Sequence, residues 1–259
     1  MAGNVHVEIE GHVATLTNDN PDKHNAFDDE MDLALFSAFG EIAANPDVRA
    51  VIWRAEGKSF SSGRDVGSIG TNLTDLTHHQ LMQRGHRGIL QVLDLDVPVI
   101  VACKGWTIGG SFQRALLCDM RVAAEGARFM LPEATHGVIP DTGGVARLFQ
   151  MAGHGLVSDM VLTGRVLSAE EALALGVVSR IVPAEQLDTE VRAMAEHIAK
   201  APPLTIKLAR RTISNLASPE VRASMEGELL AQTVLTNSHD FAEFKAARAE
   251  EREPRYVRG

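Results

Sequence analysis

The 259-residue sequence has little cysteine, few aromatic residues and no long hydrophobic run. Its two cysteines, Cys103 and Cys118, both lie in apolar segments, which predicts buried reduced thiols rather than a disulfide framework. The longest apolar stretches, such as residues 97–103, are far too short to cross a bilayer. No basic segment followed by an apolar one opens the sequence, so we expect no signal peptide and a cytoplasmic protein.

The sequence also lacks an excess of positive charge. Its net charge is -9, whereas nucleic acids and anionic membranes bind concentrated positive charge, so neither is an expected partner. An anionic small ligand stays possible because it needs only a few local cations. The hydrophobic share of 45% and the charged share of 23% are typical of a globular protein.

Hydrophobic periodicity predicts strands alternating with helices up to about residue 182, and helices beyond it. The expected strands are residues 5–9, 13–16, 48–53, 97–103, 120–124 and 177–182. The expected helices are one capped by Asp28, a polar, lid-like one over 75–95, then 110–117, 143–151, 156–162, one from 168, 187–200, 203–216, 219–236 and 239–252. This order predicts an α/β fold with largely parallel strands. The final helices are too small a segment to form a stable hydrophobic core by themselves. They should therefore pack on the core of the chain or on a neighbouring subunit.

Two short segments carry the chemistry. Glu133 and Asp141 lie eight positions apart around a turn rich in glycine and proline, just before a predicted helix. Gly109 and Gly110 follow a strand and open another helix, where bare backbone amides favour a negative oxygen. Carboxylates that move protons and amides that hold an oxyanion are the parts needed to make and quench an enolate. An enzyme is therefore the leading interpretation.

Together these segments resemble the crotonase (enoyl-CoA hydratase/isomerase) superfamily from about residue 5 to residue 256. The matching stretches, in order, are residues 47–52, 60–65, 98–110, 118–121, 127–133, 137–144, 162–165 and 169–172. The resemblance implies an α/β fold with a crotonase-like spiral core of repeated ββα units, which binds acyl-CoA and carries catalysis, in residues 1–197. It implies a helical C-terminal module for oligomerisation, in residues 198–259, and a homotrimer or a dimer of trimers. It also implies an acyl-CoA substrate, no metal, and no cofactor beyond the coenzyme A of the substrate.

By the same resemblance, the backbone amides of Arg64 and Gly110 form the oxyanion hole. Arg64 stands where the family usually has a small residue, and its guanidinium could reach a CoA phosphate, an acyl carboxylate or solvent. Arg84 and Arg87 are further candidates for the phosphates, because Gly67 replaces a common lysine. The residues implied in substrate or CoA binding are His24, Ala26, Ser62, Asp65, Val66, Trp106, Gly109 and Gln113.

The acidic residues distinguish between the reactions of the family. Hydratases of the family use two glutamates, and the first of these positions is Gln113 here, which cannot exchange a proton. Asp141 stands where hydratases usually have glycine and where isomerases of the family have an acid. We therefore expect an isomerase that shifts a double bond, with Glu133 as the C2 base and Asp141 as the distal acid. A helix cap for Asp141 and a structural role for Glu133 are the simpler alternatives.

Three other functions stay open. A hydratase could add water through Glu133 alone to an activated substrate. A hydrolase or dehalogenase-like enzyme could use Asp141 as nucleophile with His86 beside it, as the resemblance to 4-chlorobenzoyl-CoA dehalogenase implies. A non-catalytic acyl-CoA binder would explain both Gln113 and the weakened phosphate contacts.

Overall fold

The computed structural model describes residues 3–68 and 76–257. The strands found there are β1 Asn4–Glu10, β2 Val13–Asp19, β3 Ala50–Ala55, β4 Val99–Cys103, β5 Trp106–Ile108, β6 Met120–Ala124, β7 Arg128–Met130, β8 Leu167–Ser168 and β9 Arg180–Val182. Six of them form one sheet in the order β1-β2-β3-β4-β6-β9, parallel except for the β1–β2 hairpin. A second sheet contains the strands β5, β7 and β8 in that order. The predicted α/β fold with mostly parallel strands is confirmed, although the sequence pattern did not indicate this second sheet.

Eight α-helices accompany the strands within the described residues. They are α1 Asp29–Ala44, α2 His78–Asp94, α3 Gly109–Leu117, α4 Gly144–Thr163, α5 Ala169–Ala174, α6 Leu187–Ala199, α7 Pro203–Leu235 and α8 His239–Ala249. The predicted lid-like helix corresponds to α2, and the first residue of the range predicted for it, 75, lies outside the described residues. The glycines and serines of residues 57–70 also predict a loop, and the structure describes it only up to residue 68.

One helix prediction was wrong. Residues 203–216 and 219–236 are not two helices, because α7 runs through Pro219 without a break. A proline removes one backbone hydrogen bond and crowds the preceding turn. Here Pro219 and Asn215, whose carbonyl loses its donor, are both exposed, so water can replace the missing bond. The tertiary position of the helix therefore tolerates a residue that usually ends one.

The large sheet separates two apolar layers. Alternate side chains of β3 point to opposite faces, so Ala50 and Ile52 pack toward α6 while Val51 and Trp53 enter the main core. That main core also includes residues of α1, α2, α3 and α4. Cys103 and Cys118 are both buried and unpaired in it, as predicted, and burial raises the pKa of each thiol.

The C-terminal helices extend the fold. The predicted boundary after residue 197 falls in the last turn of α6, and the division into core and module stays a prediction.

None of the helices in residues 3–68 and 76–257 combines the length and the apolar character needed to cross a membrane.

Candidate active site

A cavity of about 640 Å³ opens between the start of α3, the loop before α4, and helices α1, α2, α7 and α8. Eleven of the residues proposed from the sequence line it: Ala26, Ser62, Arg64, Asp65, Val66, Arg84, His86, Gly109, Gly110, Glu133 and Asp141. They come from positions up to 115 residues apart, so the fold gathers them. The volume lies in the range of ordinary small-ligand sites.

Two backbone bridges hold the proposed oxyanion loop in place. The carbonyl of Phe27 accepts a hydrogen bond from the amide of Asp65, and the amide of Phe27 donates one to the carbonyl of Gly63. These two bonds flank Arg64, which is the residue paired with Phe27. In such a parallel bridge the amide of the middle residue points away from its partner strand. A second bridge joins Ser61 to Thr107, just before α3. The Arg64 amide is therefore directed away from residue 27.

The backbones of Gly63 and Gly109 approach each other closely. A methyl group added to Gly63 would lie 2.9 Å from the carbonyl oxygen of Ile108 and 3.8 Å from the Cα of Gly109. Gly63 and Gly109 also have positive φ angles of 91° and 57°, which other residues rarely adopt. The amides that follow, those of Arg64 and Gly110, are thus brought to the same wall of the cavity.

The Glu133 carboxyl group lies close to Gly109. A methyl group at Gly109 would be 3.2 Å from Glu133 Oε1. Burial raises the pKa of Glu133 to about 7, the negative charge of Asp141 adds to this rise, and a hydrogen bond from Gln113 opposes it. Its Oε2 is shielded from solvent and has no hydrogen-bond partner among the described residues. A carboxyl group that titrates near neutral pH can serve as both base and acid.

Asp141 faces the cavity from the loop before α4. Its Oδ2 is 3.6 Å from His86 Nε2, which is too long for a hydrogen bond but close enough for an ionic contact. His86 is buried, although the polar pattern of its helix favoured a solvent-facing histidine. The amphipathic packing of α2 turns this histidine inward, and His78 of the same helix also lines the cavity.

Helix α7 holds the loop that carries Asp141. Glu228 Oε2 accepts a hydrogen bond of 2.8 Å from the amide of Gly143, and Gln232 Oε1 accepts one of 3.2 Å from the amide of Ile139. Both side chains are buried, and burial raises the pKa of Glu228. No sequence pattern indicated this pair, because the two contacts span more than 80 residues.

Three guanidinium groups and two carboxylates form a charged wall in the same cavity. The residues of this arginine cluster are Arg64, Arg84, Arg114, Asp29 and Asp32. The acidic start of α1 predicted only a helix cap, and Asp28 does cap it by accepting from the amide of Met31 at 2.9 Å. The side chains of Asp29 and Asp32 instead turn inward.

Three proposed binding residues do not line the cavity. His24 holds its ring 3.2 Å from Ser59 Oγ, and Trp106 lies under the guanidinium of Arg128 at 5.5 Å. Gln113 is fully buried behind Glu133. Of the arginines considered for CoA phosphates, Arg64 and Arg84 face the acidic side chains of α1, and Arg87 is exposed outside the cavity. Lys23 and Arg248 line the cavity instead.

Comparison with known proteins gives consistent results over nearly the whole chain. The family model described as enoyl-CoA hydratase/isomerase matches residues 8–258. A carnitinyl-CoA dehydratase of Salmonella enteritidis PT4 is 35% identical over an alignment of 259 positions that covers 98% of this chain and 98% of that one. A solved enoyl-CoA hydratase/isomerase from Pseudoalteromonas atlantica superimposes with a TM-score of 0.89 at 29% identity, covering 98% of this chain and 100% of that one. An enoyl-CoA hydratase from Mycobacterium avium subsp. paratuberculosis gives 0.88 at 26% identity and 98% coverage of both.

Proposed function

This chain belongs to the enoyl-CoA hydratase/isomerase family, the crotonase superfamily, and from that premise we propose that it shifts a double bond in an enoyl- or dienoyl-CoA. As a member of this family it is an enzyme that acts on CoA thioesters. The amides of Arg64 and Gly110 bind the thioester oxygen. The observation that carries the proposal is the contact of Glu133 with Gly109, which would hold the carboxyl group beside C2 of a thioester bound at Gly110.

Glu133 removes a proton from C2 of a 3-enoyl-CoA. The electrons left behind delocalise onto the thioester oxygen as an enolate, which the two amides stabilise, and loss of one such donor costs about 3–4 kcal/mol of barrier. Asp141 then delivers a proton to C4 as the double bond moves from C3–C4 to C2–C3. The opposite roles need one ionised and one protonated carboxyl group at the start.

Gln113 supports migration over ordinary hydration. It donates to Glu133 Oε1 at 2.9 Å and accepts from the amide of Thr142 at 2.8 Å, so both ends of its amide group are engaged. An amide side chain cannot supply the second proton transfer that the two-glutamate hydration needs. In the proposed pair, Asp141 is therefore the carboxyl group that supplies the second proton transfer.

Deuterium incorporation tests the proposal. A 3-enoyl-CoA and a 3,5-dienoyl-CoA, each incubated with the enzyme in deuterated water, should give shifted double bonds that carry label at the newly protonated carbon. Asp141→Asn should abolish the shift. An unchanged rate in that variant would remove Asp141 from the proton return.

Water addition or removal is the second candidate, favoured by the relative named carnitinyl-CoA dehydratase at 35% identity. In that case Glu133 alone moves the proton at C2 and assists the water at C3. A 2-enoyl-CoA would then be hydrated while a 3-enoyl-CoA stays unchanged. A covalent acyl-enzyme on Asp141, detected by mass spectrometry, would instead favour the hydrolase or dehalogenase-like function. Tight binding without turnover of any of these thioesters would favour the non-catalytic binder.

The C-terminal module supports self-association as a homotrimer or a dimer of trimers. Helix α7 leaves large apolar side chains exposed, among them Leu204, Ile213, Leu216, Leu230 and Val234. Such side chains commonly mark a protein interface. Light scattering on the purified protein would decide between one, three and six copies. A cytoplasmic location and the absence of a cofactor beyond the coenzyme A of the substrate stay predictions.

A further inference from the structure

We propose that the arginine cluster binds a negatively charged group at the far end of the acyl chain, so that the substrate is the CoA thioester of a short dicarboxylic acid. The inference rests on the proposed function for the thioester and adds the identity of the acyl group. It concerns the residues Arg64, Arg84, Arg114, Asp29 and Asp32, which all line the cavity.

The cluster is deeply placed and internally connected. Arg64 Nη1 lies 2.8 Å from Asp32 Oδ2, and its Nη2 contacts Asp29. Arg114 Nη2 lies 2.7 Å from Asp32 Oδ1, and Arg84 Nη2 lies 3.8 Å from Asp29 Oδ2. The side chains of Asp29 and Asp32 are only 4% and 10% exposed, and that of Arg114 is 10% exposed. These three charges are therefore poorly hydrated, whereas the side chains of Arg64 and Arg84 are 28% and 25% exposed.

The charges of the cluster do not cancel. Three guanidiniums and two carboxylates leave an excess of one positive charge, because arginine stays protonated in proteins. An unbalanced buried charge is costly, and a ligand of opposite charge removes that cost. Of the other acids in the cavity, Asp65 pairs with Lys23, Asp141 faces His86 and Glu133 accepts a hydrogen bond from Gln113.

Several donors of the cluster also lack acceptors. Among the described residues, Arg114 Nε and Nη1 and Arg84 Nε have no hydrogen-bond partner. Two carboxylate oxygens, Asp29 Oδ2 and Asp32 Oδ1, lack a well-aligned donor as well. These Arg114 atoms are buried, so the guanidinium, which rests 4.8 Å above the ring of Phe27, must rotate to direct its free edge toward a ligand carboxylate. Guanidinium and carboxylate groups match each other in such a two-point contact.

The position of Arg114 limits the length of the acyl chain. Gly110 and Arg114 are four residues apart on α3, so they lie on the same face of the helix, separated by about one turn of 5.4 Å. A short acyl chain would thus join a thioester oxygen at Gly110 to a carboxylate at Arg114, and the six-carbon adipyl group is a probe of that length. Phe36, Leu81 and Met82 supply an apolar wall for the carbons between them.

Binding of saturated thioesters tests the subsite without any chemistry. Calorimetry should give a dissociation constant for adipyl-CoA about tenfold or more below that for hexanoyl-CoA, which has the same chain length and no carboxylate. Equal affinities, or tighter binding of hexanoyl-CoA, would overturn the proposal in the unmodified protein. Failure of double-bond migration leaves this measurement unaffected, so the subsite and the proposed function can fail separately.

Substitutions then place the carboxylate. Arg114→Met should remove the preference for adipyl-CoA, and Arg84→Met, at a more exposed position, should reduce it if the Arg114 variant does not fold. Arg180→Met removes a guanidinium that pairs with Glu190 on the exposed surface, and it should keep the preference. If the cluster variants weaken coenzyme A, hexanoyl-CoA and adipyl-CoA by the same factor, the cluster binds CoA phosphates and the proposal is wrong.

Discussion

Gln113 Nε2 donates a hydrogen bond of 2.9 Å to Glu133 Oε1 from a fully buried position. The same side chain accepts from the amide of Thr142, beside Asp141. One uncharged amide group therefore connects both proposed acid/base residues. It orients Glu133 by a bond to its ionised form, and such a bond lowers the pKa of the carboxyl group that burial raises.

Replacing Gln113 by glutamate should change the reaction. The introduced carboxyl group would restore a second ionisable group and keep an oxygen acceptor for Thr142. Because one general acid or base typically contributes about 10²–10⁴-fold, we expect hydration of crotonyl-CoA to rise by about 10²-fold. Loss of the conjugated enoyl absorbance measures this rate. Gln113→Leu is the control, and hydration that stays at the original rate in Gln113→Glu would contradict our account of the missing acid.

The pKa of Glu133, raised to about 7 mainly by burial, predicts a pH-dependent rate. Only the ionised carboxylate can take a proton from C2. For double-bond migration, kcat/KM should therefore rise about tenfold per pH unit as the pH approaches 7 from below. Initial rates on a 3-enoyl-CoA between pH 5 and 9 give the profile. A plateau already reached at pH 5 would exclude a neutral-range base.

Glu133 should also make the folded state less stable at high pH. The folded pKa of about 7 exceeds the ordinary value of 4.5, so the folded protein retains a proton that the unfolded chain loses between these values. The contribution of Glu133 to the free energy of unfolding falls by about 3 kcal/mol as the pH rises from 4.5 to 7. Above pH 7 this contribution stays constant. Glu133→Gln should therefore gain stability relative to the original protein over this interval. Thermal unfolding midpoints at several pH values would show it, and a difference independent of pH would refute the burial argument.

Gly63→Ala should disrupt the oxyanion hole. The new methyl group would lie 2.9 Å from the carbonyl oxygen of Ile108 and would require an unfavourable φ of 91°. The loop must then move from α3, and we expect kcat to fall about 10²–10³-fold, as for the loss of one oxyanion donor. Gly40→Ala is the matched control, because a methyl group there meets no atom within 4 Å on the outside of α1. Equal activity of the two variants would argue against the close approach of Gly63 and Gly109.

Glu228 offers a test of the support from α7. Glu228→Ala leaves the buried amide of Gly143 without its acceptor, a loss of about 1–3 kcal/mol, and frees the loop of Asp141. We expect kcat to fall about tenfold or more with little change in KM. Glu228→Gln keeps an oxygen for Gly143 and a donor for Ser224, so it should restore most of kcat. Similar losses in both variants would indicate that the charge of Glu228 matters rather than its hydrogen bond.

The sequence by itself determined the features that depend on neighbouring residues. Strand alternation, the Asp28 cap and the glycine turns at 63 and 109 are local preferences of the backbone, so they could be predicted together with the family and the fold. The order of motifs also placed Glu133 and Asp141 near the glycine pair, because parallel strands bring such loops to one edge of a sheet.

Only the tertiary structure decided which side chains face the cavity and which partners they meet. In the sequence, Asp29 and Asp32 are ordinary acidic residues at the start of a helix. In the structure they form ion pairs with Arg64 and Arg114, which lie on other elements. His86 lies on a polar helix and Glu228 on the long helix α7, and long-range packing turned them toward Asp141 and its loop. The same packing buried Gln113 behind Glu133 and kept α7 continuous through Pro219. Burial and charge pairing depend on residues far apart in the chain, so no local pattern could specify them.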